Sequence, residues 1–321
     1  LKMNEFLIIK NYLTKLSKNN LPALNLQDDI YFNKEKKLGI SVDTYVEGVH
    51  FLNSSNPDLF LKKIVRSSLS DIYCKGLIPE SYFLSLALNK NCAKKDWLNK
   101  FKNILNSEQK KFKISLSGGD TTFSSKLIIT FVVLGYAKKN PVLRNTCLLN
   151  DDVYVTGDIG DAFLGLEIIK KRKDFGKLNN FFKKKYYEPN IPVNFSKYLP
   201  NIATSSIDIS DGLGQDLNHL CEQSKHGANI NLSYLPLSAF CKKLLYENKI
   251  KIDKFFSKGD DYQILFTSNK RNRSKIDGIA KKTKTKVSRI GTITKGNKLV
   301  FNYKTKKYNF NSSKMGYTHS F

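Results

Sequence analysis

The chain has 321 residues, a length that fits two domains of roughly 140 to 180 residues better than one core, and hydrophobic residues are frequent enough to exclude disorder. It carries 54 basic and 28 acidic residues, for a formal net charge of +26 at pH 7. Only six of the basic residues are Arg and the Lys residues are spread along the chain, which is typical of a solvated surface, so we expect no nucleic acid as partner.

In chain order, apolar periodicity predicts an alternation of helices and strands in both halves. In the first half, helices are predicted at 5–17, 58–76 and 94–110, and strands at 38–43, 81–88, 113–117 and 126–136. In the second half, strands are predicted near 152–157, 205–209, 228–232, 262–267 and 286–293, and helices near 160–172, 211–225, 236–248 and 272–283. The expected fold class is therefore α/β or α+β.

The segment 138–151 contains Pro, Asn and several charges, which predicts a linker between two domains. We place the boundary there and expect an N-terminal domain of residues 1–138 and a C-terminal domain of residues 139–321. The longest apolar stretch, residues 127–137, is shorter than the roughly 20 residues that cross a bilayer. We expect no membrane as partner.

The cysteines and the N-terminal residues indicate the cellular compartment in which the protein is expected. Five cysteines are scattered without a C-x-x-C pair, which argues against a disulfide framework and against a zinc site. The first 15 residues lack the cationic start and the cleavage site of an export signal. A reducing cytoplasm is the expected location.

Carboxylates are scarce, and many of them fall in predicted turns, several directly after apolar strands. They are Asp28, Asp29, Asp43, Asp71, Asp120, Asp208, Asp211, Asp260 and Asp261. Side chains at strand ends commonly converge on a ligand. The candidate ligands are Asp and Ser, and His50 is the only His or Cys among them. Such a set of hard oxygen ligands suits magnesium rather than zinc. Magnesium in turn implies a phosphate ligand.

Each motif also has a purely structural interpretation. Ser210 or Asp211 could cap the following helix, and SGGDTT could be a glycine turn before a strand. The acidic pairs could be solvated loop residues, His50 a core or surface histidine, and Arg144 a solvated linker residue. No G-x-x-x-x-G-K-[ST] sequence is present, so an ATP enzyme on this chain would need metals and glycine-loop amides to hold phosphates.

The ordered series QDD, SVDTYVEGVHF, SLSDIYCKG, SGGDTT, VLR, DVYVTG, DISDGLGQDL and KGDDYQILF resembles the thiamine-monophosphate kinase family over residues 27 to about 317. DTYVEGVHF is the most specific piece. GGDTT and DISDGL are shared with the wider aminoimidazole ribonucleotide synthetase-like superfamily. The resemblance implies the two-domain fold of that superfamily, with an N-terminal α/β domain that pairs with its copy in a homodimer and a C-terminal α/β domain.

The same resemblance implies a reaction. The γ-phosphoryl group of ATP, the co-substrate, would pass to thiamine monophosphate with the help of several magnesium ions (Mg²⁺), giving thiamine diphosphate. An ionised phosphate is already a nucleophile at neutral pH, so positioning and charge neutralisation suffice and no general base is required.

Roles follow residue by residue from the matching motifs. The implied magnesium ligands are Asp29, Ser41, Val42 through its main chain, Asp43, Asp71, Asp120, Asp208 and Asp211. The implied ATP contacts are Gly119, Asp120, Arg144 and Ser210. The implied thiamine-phosphate contacts are His50, Asp260 and Tyr317. Two positions depart from the family pattern: Gln27 replaces a glycine, and Asp260 replaces a Glu, which shortens the side chain by one methylene.

Two other functions compete with this interpretation. A related ATP-dependent enzyme like aminoimidazole ribonucleotide synthetase should lack the DTYVEGVHF signature. A basic polyanion-binding module would bind in a salt-dependent manner without magnesium or ATP, and the Asp clusters would repel its ligand.

Overall fold

Two β-sheets with packed helices organise residues 4–309 and 316–318, the part of the chain that this computed structural model describes. The first sheet is built from residues 31–136 and the second from residues 152–309. The predicted mixed α/β fold class is confirmed. None of the helices in these described ranges combines the length and the apolar character that a membrane span needs.

The N-terminal sheet has five strands in the order β1-β2-β5-β3-β4. Their bounds are β1 Tyr31–Asn33, β2 Leu38–Val46, β3 Ile78–Leu88, β4 Ser115–Phe123 and β5 Ile128–Tyr136. The edge strand β4 runs parallel to β3, and the other neighbours are antiparallel. The crossover that a parallel pair requires is supplied by the helix at Lys95–Phe112.

One face of this sheet is covered and the other is open. Helices α2 (Leu61–Cys74) and α3 (Lys95–Phe112) pack on the inner face, where Leu69, Trp97 and Phe131 belong to one buried apolar cluster. On the outer face Val42 and Phe83 remain 63% and 40% exposed. Both pair with Val132 of β5, so they form one apolar row across the sheet.

The C-terminal sheet has seven strands in the order β12-β11-β8-β10-β6-β9-β7. Their bounds are β6 Asp152–Thr156, β7 Ser205–Asp208, β8 Gly227–Asn231, β9 Ile264–Ser268, β10 Val287–Thr294, β11 Leu299–Tyr303 and β12 Lys306–Asn309. Strands β6, β7 and β9 are buried along their whole length, as expected where helices cover both faces.

The remaining α-helices in the described ranges are mostly short. They are α1 Glu5–Ile8, α4 Asp161–Ile169, α5 Asn179–Tyr187, α6 Val193–Ser196, α7 Leu213–Ser224, α8 Ala239–Tyr246, α9 Lys254–Ser257 and α10 Arg273–Thr283. The predicted elements lie close to observed ones, whereas β1, β11, β12, α5, α6 and α9 had no predicted counterpart.

The segment SGGDTT corrects one expectation. It lies inside β4, not in a turn, so Asp120 is a strand residue. The glycines allow this because a Cβ on Gly119 would lie 1.8 Å from the carbonyl oxygen of Leu84 on β3. The close approach of the two backbones therefore requires glycine at this position.

Candidate active site

The first part of the site comes from the alternation of β2. Ser41, Asp43 and Tyr45 share the inner face, because successive strand residues point to opposite sides. The Ser41 hydroxyl donates to Asp71 Oδ2 of α2 at 2.6 Å, and the Tyr45 hydroxyl donates to Asp43 Oδ2 at 3.0 Å. Val42, between them, points its side chain outward, as a residue expected to act through its main chain can do.

The second part comes from the C-terminal sheet. Asp208 ends strand β7 and is 2% exposed. Ser70 of α2 donates its hydroxyl to Asp208 Oδ2 at 2.6 Å, and Ser210 lies 3.5 Å from Asp208 Oδ1. Helix α2 therefore joins the acids of the N-terminal sheet to those of the C-terminal sheet.

Three carboxylates meet at this point. Asp29, Asp71 and Asp208 each offer an oxygen within 4.8 Å of the other two. Burial raises the pKa of Asp71 well above its usual range, and the charges of Asp43 and Asp208 raise it further. Burial also raises the pKa of Asp43 to about 6. Three carboxylates beside a serine hydroxyl make a hard-oxygen donor set, which fits magnesium.

Asp211 lies close enough to Asp208 for the two carboxylates to repel each other. Burial, with the charge of Asp208 as the next cause, raises the pKa of Asp211 to about 7. The helix-capping interpretation of DISDGL is wrong: α7 begins after Gly212, and no side chain caps it there. Asp216 instead accepts a hydrogen bond from the Gly212 amide at 3.0 Å. Asp211 is thus available to the acidic cluster.

Two cations hold the Asp28–Asp29 pair. Lys75 Nζ lies 2.9 Å from Asp28 Oδ1 and 2.6 Å from Asp29 Oδ2. The Arg144 main-chain amide donates to Asp28 at 2.9 Å, and its Nε donates to Asp29 at 3.1 Å. The two Asp side chains are only 5% and 4% exposed. The interpretation of these acids and of Arg144 as solvated residues is therefore wrong.

The residues expected to contact thiamine phosphate lie to one side of this cluster. Asp260 Oδ1 is 2.6 Å from Lys63 Nζ, and this ammonium also lies 4.0 Å from the centre of the Tyr186 ring. The Tyr186 hydroxyl donates to the His50 carbonyl at 3.3 Å. His50 and Asp260 are thereby linked through two intervening side chains.

Tyr317 belongs to the same region. Its pKa is raised by burial first and then by the negative charges of Asp211, Glu5 and Asp260. The ring is half exposed. Tyr317 therefore experiences the negative charge of Asp260, and its role as a substrate contact stays a prediction.

Asp120 and Gly119 are not brought to the cluster within one chain. Strand register aligns Asp120 with Ser85, Ser85 with Thr130, and Thr130 with Thr44. Thr44 lies on the exposed face of β2, opposite Asp43, so Asp120 also lies on the outer face. Three strand spacings separate β4 from β2, or about 14 Å.

Sequence reasoning missed two lysines of this site, Lys63 and Lys75. A signal was present in α2, where Lys63, Ser67 and Ser70 follow one another at the i, i+4, i+7 spacing of a single helix face. All three are buried. A polar stripe on a helix that is buried nearly all round indicates a site rather than a solvated face.

The two mixed sheets with an acidic cluster between them define a two-sheet α/β protein with a candidate metal site. Residues 27–137 match the family model described as AIR synthase related protein, N-terminal domain. The thiamine-monophosphate kinase of Buchnera aphidicola subsp. Schizaphis graminum is 36% identical over 97% of this chain and 99% of its own length. That of Buchnera aphidicola subsp. Acyrthosiphon pisum is 35% identical over 92% of each chain.

A solved structure agrees with these relatives. AaThiL complexed with AMPPCP and TMP superimposes with a TM-score of 0.83 at 26% identity, over 98% of this chain and 97% of the other. The chain belongs to the thiamine-monophosphate kinase family, whose members are phosphotransferases.

Proposed function

We propose that this chain catalyses the transfer of the γ-phosphoryl group of ATP to thiamine monophosphate, giving thiamine diphosphate and ADP. The observation that carries the proposal is the meeting of Asp29, Asp71 and Asp208 beside a second group that contains Asp260 and Tyr317. The first group suits metal-bound phosphates, and the second offers an acid and an aromatic ring to a cationic, flat substrate. The relative that binds AMPPCP and TMP supports the same pair of substrates.

Magnesium is the metal that we propose for the acidic cluster. Asp29, Asp71 and Asp208 would hold it together with Ser41, Asp43, Asp211 and the Val42 carbonyl. When bound, magnesium neutralises phosphate oxygens and aligns the reacting groups. The protein residues supply position: Ser41 and Ser70 fix the carboxylate orientations through their 2.6 Å hydrogen bonds.

Arg144 and Ser210 are the ATP contacts that we propose within the same chain. Arg144 already lies against Asp29, and its guanidinium is suited to phosphate oxygens. Because ionised phosphate is the acceptor, no proton has to be removed and these residues act by orientation and charge.

Asp260 is the proposed partner of the thiamine cation. Lys63 and the Tyr262 hydroxyl both contact Oδ1, at 2.6 and 3.0 Å, and we assign Oδ2 to the substrate. His50 and Tyr317 complete this side of the site. Since Lys63 balances part of the Asp260 charge, the pair stays stable before the cationic substrate arrives.

A homodimer would complete the site. The outer face of the N-terminal sheet exposes apolar side chains, including Val42 and Phe83, and a second copy would bury them. Asp120 lies on that same outer surface, three strand spacings from the strand of Asp43, and Gly119 precedes it on the exposed edge strand β4. We therefore propose that these two residues reach ATP and magnesium in the site of the partner subunit.

The domain boundary and the location are also proposals. The two sheets end and begin at residues 136 and 152, which supports domains of residues 1–138 and 139–321. A cytoplasmic location fits the use of ATP and the five free cysteines.

The test is direct. The purified protein is incubated with ATP, thiamine monophosphate and magnesium, and thiamine diphosphate is measured. We expect product from the native chain and from Asp277→Ala, which changes an exposed acid on α10, and none from Asp43→Ala or without magnesium. Folded native protein that binds ATP but yields no product would instead favour a related synthetase with another substrate.

A further inference from the structure

Lys75 is a lysine without any solvent exposure. It follows the last residue of α2 and is 0% exposed. Its Nζ contacts Asp28 Oδ1 and Asp29 Oδ2 and donates to the Ser206 carbonyl at 2.7 Å. An ammonium group has three donors, and each of them has a partner here. A buried charge is tolerated only with such complete pairing.

One of these partners belongs to the acidic cluster. Asp29 is within 4.8 Å of the Asp71 and Asp208 oxygens and is at the same time 2.6 Å from Lys75. Arg144 also contacts Asp29, but its side chain is 18% exposed, and the proposed function assigns it to ATP. Lys75 is fully buried and all three of its donors are paired, so its charge stays with Asp28 and Asp29.

We propose that the Lys75 ammonium is a built-in cation of the metal site. It holds the Asp28–Asp29 turn in position with or without a divalent ion, and it supplies one positive charge that the cluster would otherwise take from magnesium. This inference rests on the proposed magnesium function. Lys75 is a positioning residue, because it acts on the metal through Asp29.

The same helix contains a buried pair for comparison. Arg66 of α2 contacts Glu108 of α3 through two bonds of 2.7 and 2.9 Å, with both residues nearly as buried as Lys75. Glu108 is not among the cluster acids. If Lys75 were only a structural cation, its removal and the removal of Arg66 should have the same kind of effect.

The effect of magnesium on thermal stability distinguishes a cation of the metal site from a purely structural cation. Lys75→Met and Arg66→Met each replace a buried cation by an uncharged side chain of similar length. The thermal unfolding midpoint is measured in chelator and during a titration with magnesium alone, without ATP or thiamine monophosphate. We expect both variants to unfold at lower temperature than the native chain in chelator.

Their magnesium responses should differ. In Lys75→Met the rise in midpoint at saturating magnesium should be about twice that of the native chain, because Arg144 is then the remaining protein cation at Asp29 and the bound ion supplies the charge that Lys75 gave. In Arg66→Met the rise should equal the native one. An equal rise in Lys75→Met and the native chain would overturn the inference.

A double variant covers the case in which Lys75→Met does not fold in chelator. Lys75→Met with Asp28→Asn removes one charge of each sign, so it should fold and recover a magnesium response close to the native one. Failure of this double variant to fold would show that packing, not charge, is the role of Lys75, and would overturn the inference.

The readout also separates this inference from the proposed reaction. A native chain whose midpoint does not respond to magnesium would overturn both the metal site and the role of Lys75. A native chain that responds as expected, but forms no thiamine diphosphate, would overturn the reaction and leave the role of Lys75 standing.

Discussion

Lys63 of α2 and Asp260 of the loop before β9 form an ion pair, with 2.6 Å between Nζ and Oδ1. The pair joins the N-terminal half of the chain to the C-terminal half, and Lys63 is only 5% exposed. The loop that this ion pair holds is strained, since Asp260 and Tyr262 have φ values of +73° and +51°. A residue expected to contact substrate is thus fixed by a buried cation that the sequence motifs did not indicate.

Replacing Asp260 by Asn should therefore affect both stability and substrate binding. Lys63 would remain buried without a carboxylate, which lowers the free energy of unfolding by about 3 kcal/mol. The KM for thiamine monophosphate should rise more than the KM for ATP. Denaturant unfolding and steady-state kinetics measure the two effects.

The neighbouring pair provides the control. Lys62 and Glu188 are 2.7 Å apart but more exposed, with side-chain exposures of 27% and 31%. Glu188→Gln should therefore cost at most about 1 kcal/mol and leave both KM values unchanged. Equal destabilisation by the two variants, or equal changes in both KM values for Asp260→Asn, would contradict the assignment.

Replacing Asp71 by Asn should stabilise the metal-free protein and inactivate it. Burial and the charges of Asp43 and Asp208 raise the Asp71 pKa, so the ionised carboxylate is held there at a cost in stability. The amide keeps an oxygen for the Ser41 hydroxyl and removes the repulsion. We expect the unfolding midpoint in chelator to rise by about 2 °C or more.

The activity of the same variant should fall by about 100-fold or more, since a group that stabilises transition-state charge is lost. The exposed-acid variant Asp277→Asn should change neither quantity. A lower midpoint in chelator for Asp71→Asn would mean that Asp71 supports the fold by its charge, and would contradict repulsion among Asp43, Asp71 and Asp208.

The sequence indicated which acids form the site, but it did not indicate the buried lysines that contact them. Asp71 and Asp208 were expected to share a magnesium site because the scarce acids gather in turns and because their motifs resemble the family's, and the structure joins them through Ser70. The cations were missed because nearly all basic residues of this chain are lysines, so composition does not single out Lys63 or Lys75. Only packing distinguishes a buried lysine from a solvated one.

The elements that were missed have weak local signals. Strands β1, β11 and β12 have three to five residues, which is too short for alternation to be recognised. Asp120 was expected in a turn because glycine pairs favour turns, whereas the approach of β4 to the β3 backbone requires those glycines within a strand. Tertiary contact overrode the local preference.

His219 should make the protein sensitive to acid. Burial, followed by the charge of Arg144, lowers the pKa of His219 to about 4. Its ring lies 4.8 Å from the Phe6 ring and 3.1 Å from the Gln215 side-chain nitrogen. The unfolded chain takes up the proton near pH 6.5, before the folded chain does, so stability is lost as the pH falls from about 6.5 to about 4.

His219→Gln removes this titration. The difference in unfolding free energy between the native chain and the variant should change by about 3 kcal/mol across that interval, with the native chain losing more. Comparison of the two proteins cancels the titration of the acids. A difference that stays constant from pH 7 to pH 4 would show that His219 is not held in its neutral form.

Subunit mixing tests whether Asp43 and Asp120 act at one site from two chains. Asp43 lies on the inner face of the N-terminal sheet and Asp120 on the outer face, three strands away. Asp43→Ala and Asp120→Ala should each be inactive alone. In a mixed dimer one site carries both substitutions and the other carries neither, so refolding an equal mixture should restore about a quarter of native activity.

A control mixture distinguishes a site shared between two subunits from activity that is regained merely by refolding. Asp43→Ala mixed with Asp71→Asn should stay inactive, because both residues belong to the same chain at each site and Ser41 links Asp71 to the strand of Asp43. Every site of the mixed dimer then carries one defect. If both mixtures stay inactive while dimers form, Asp120 does not act in the partner's site; if the control mixture regains activity, Asp43 and Asp71 do not share a site.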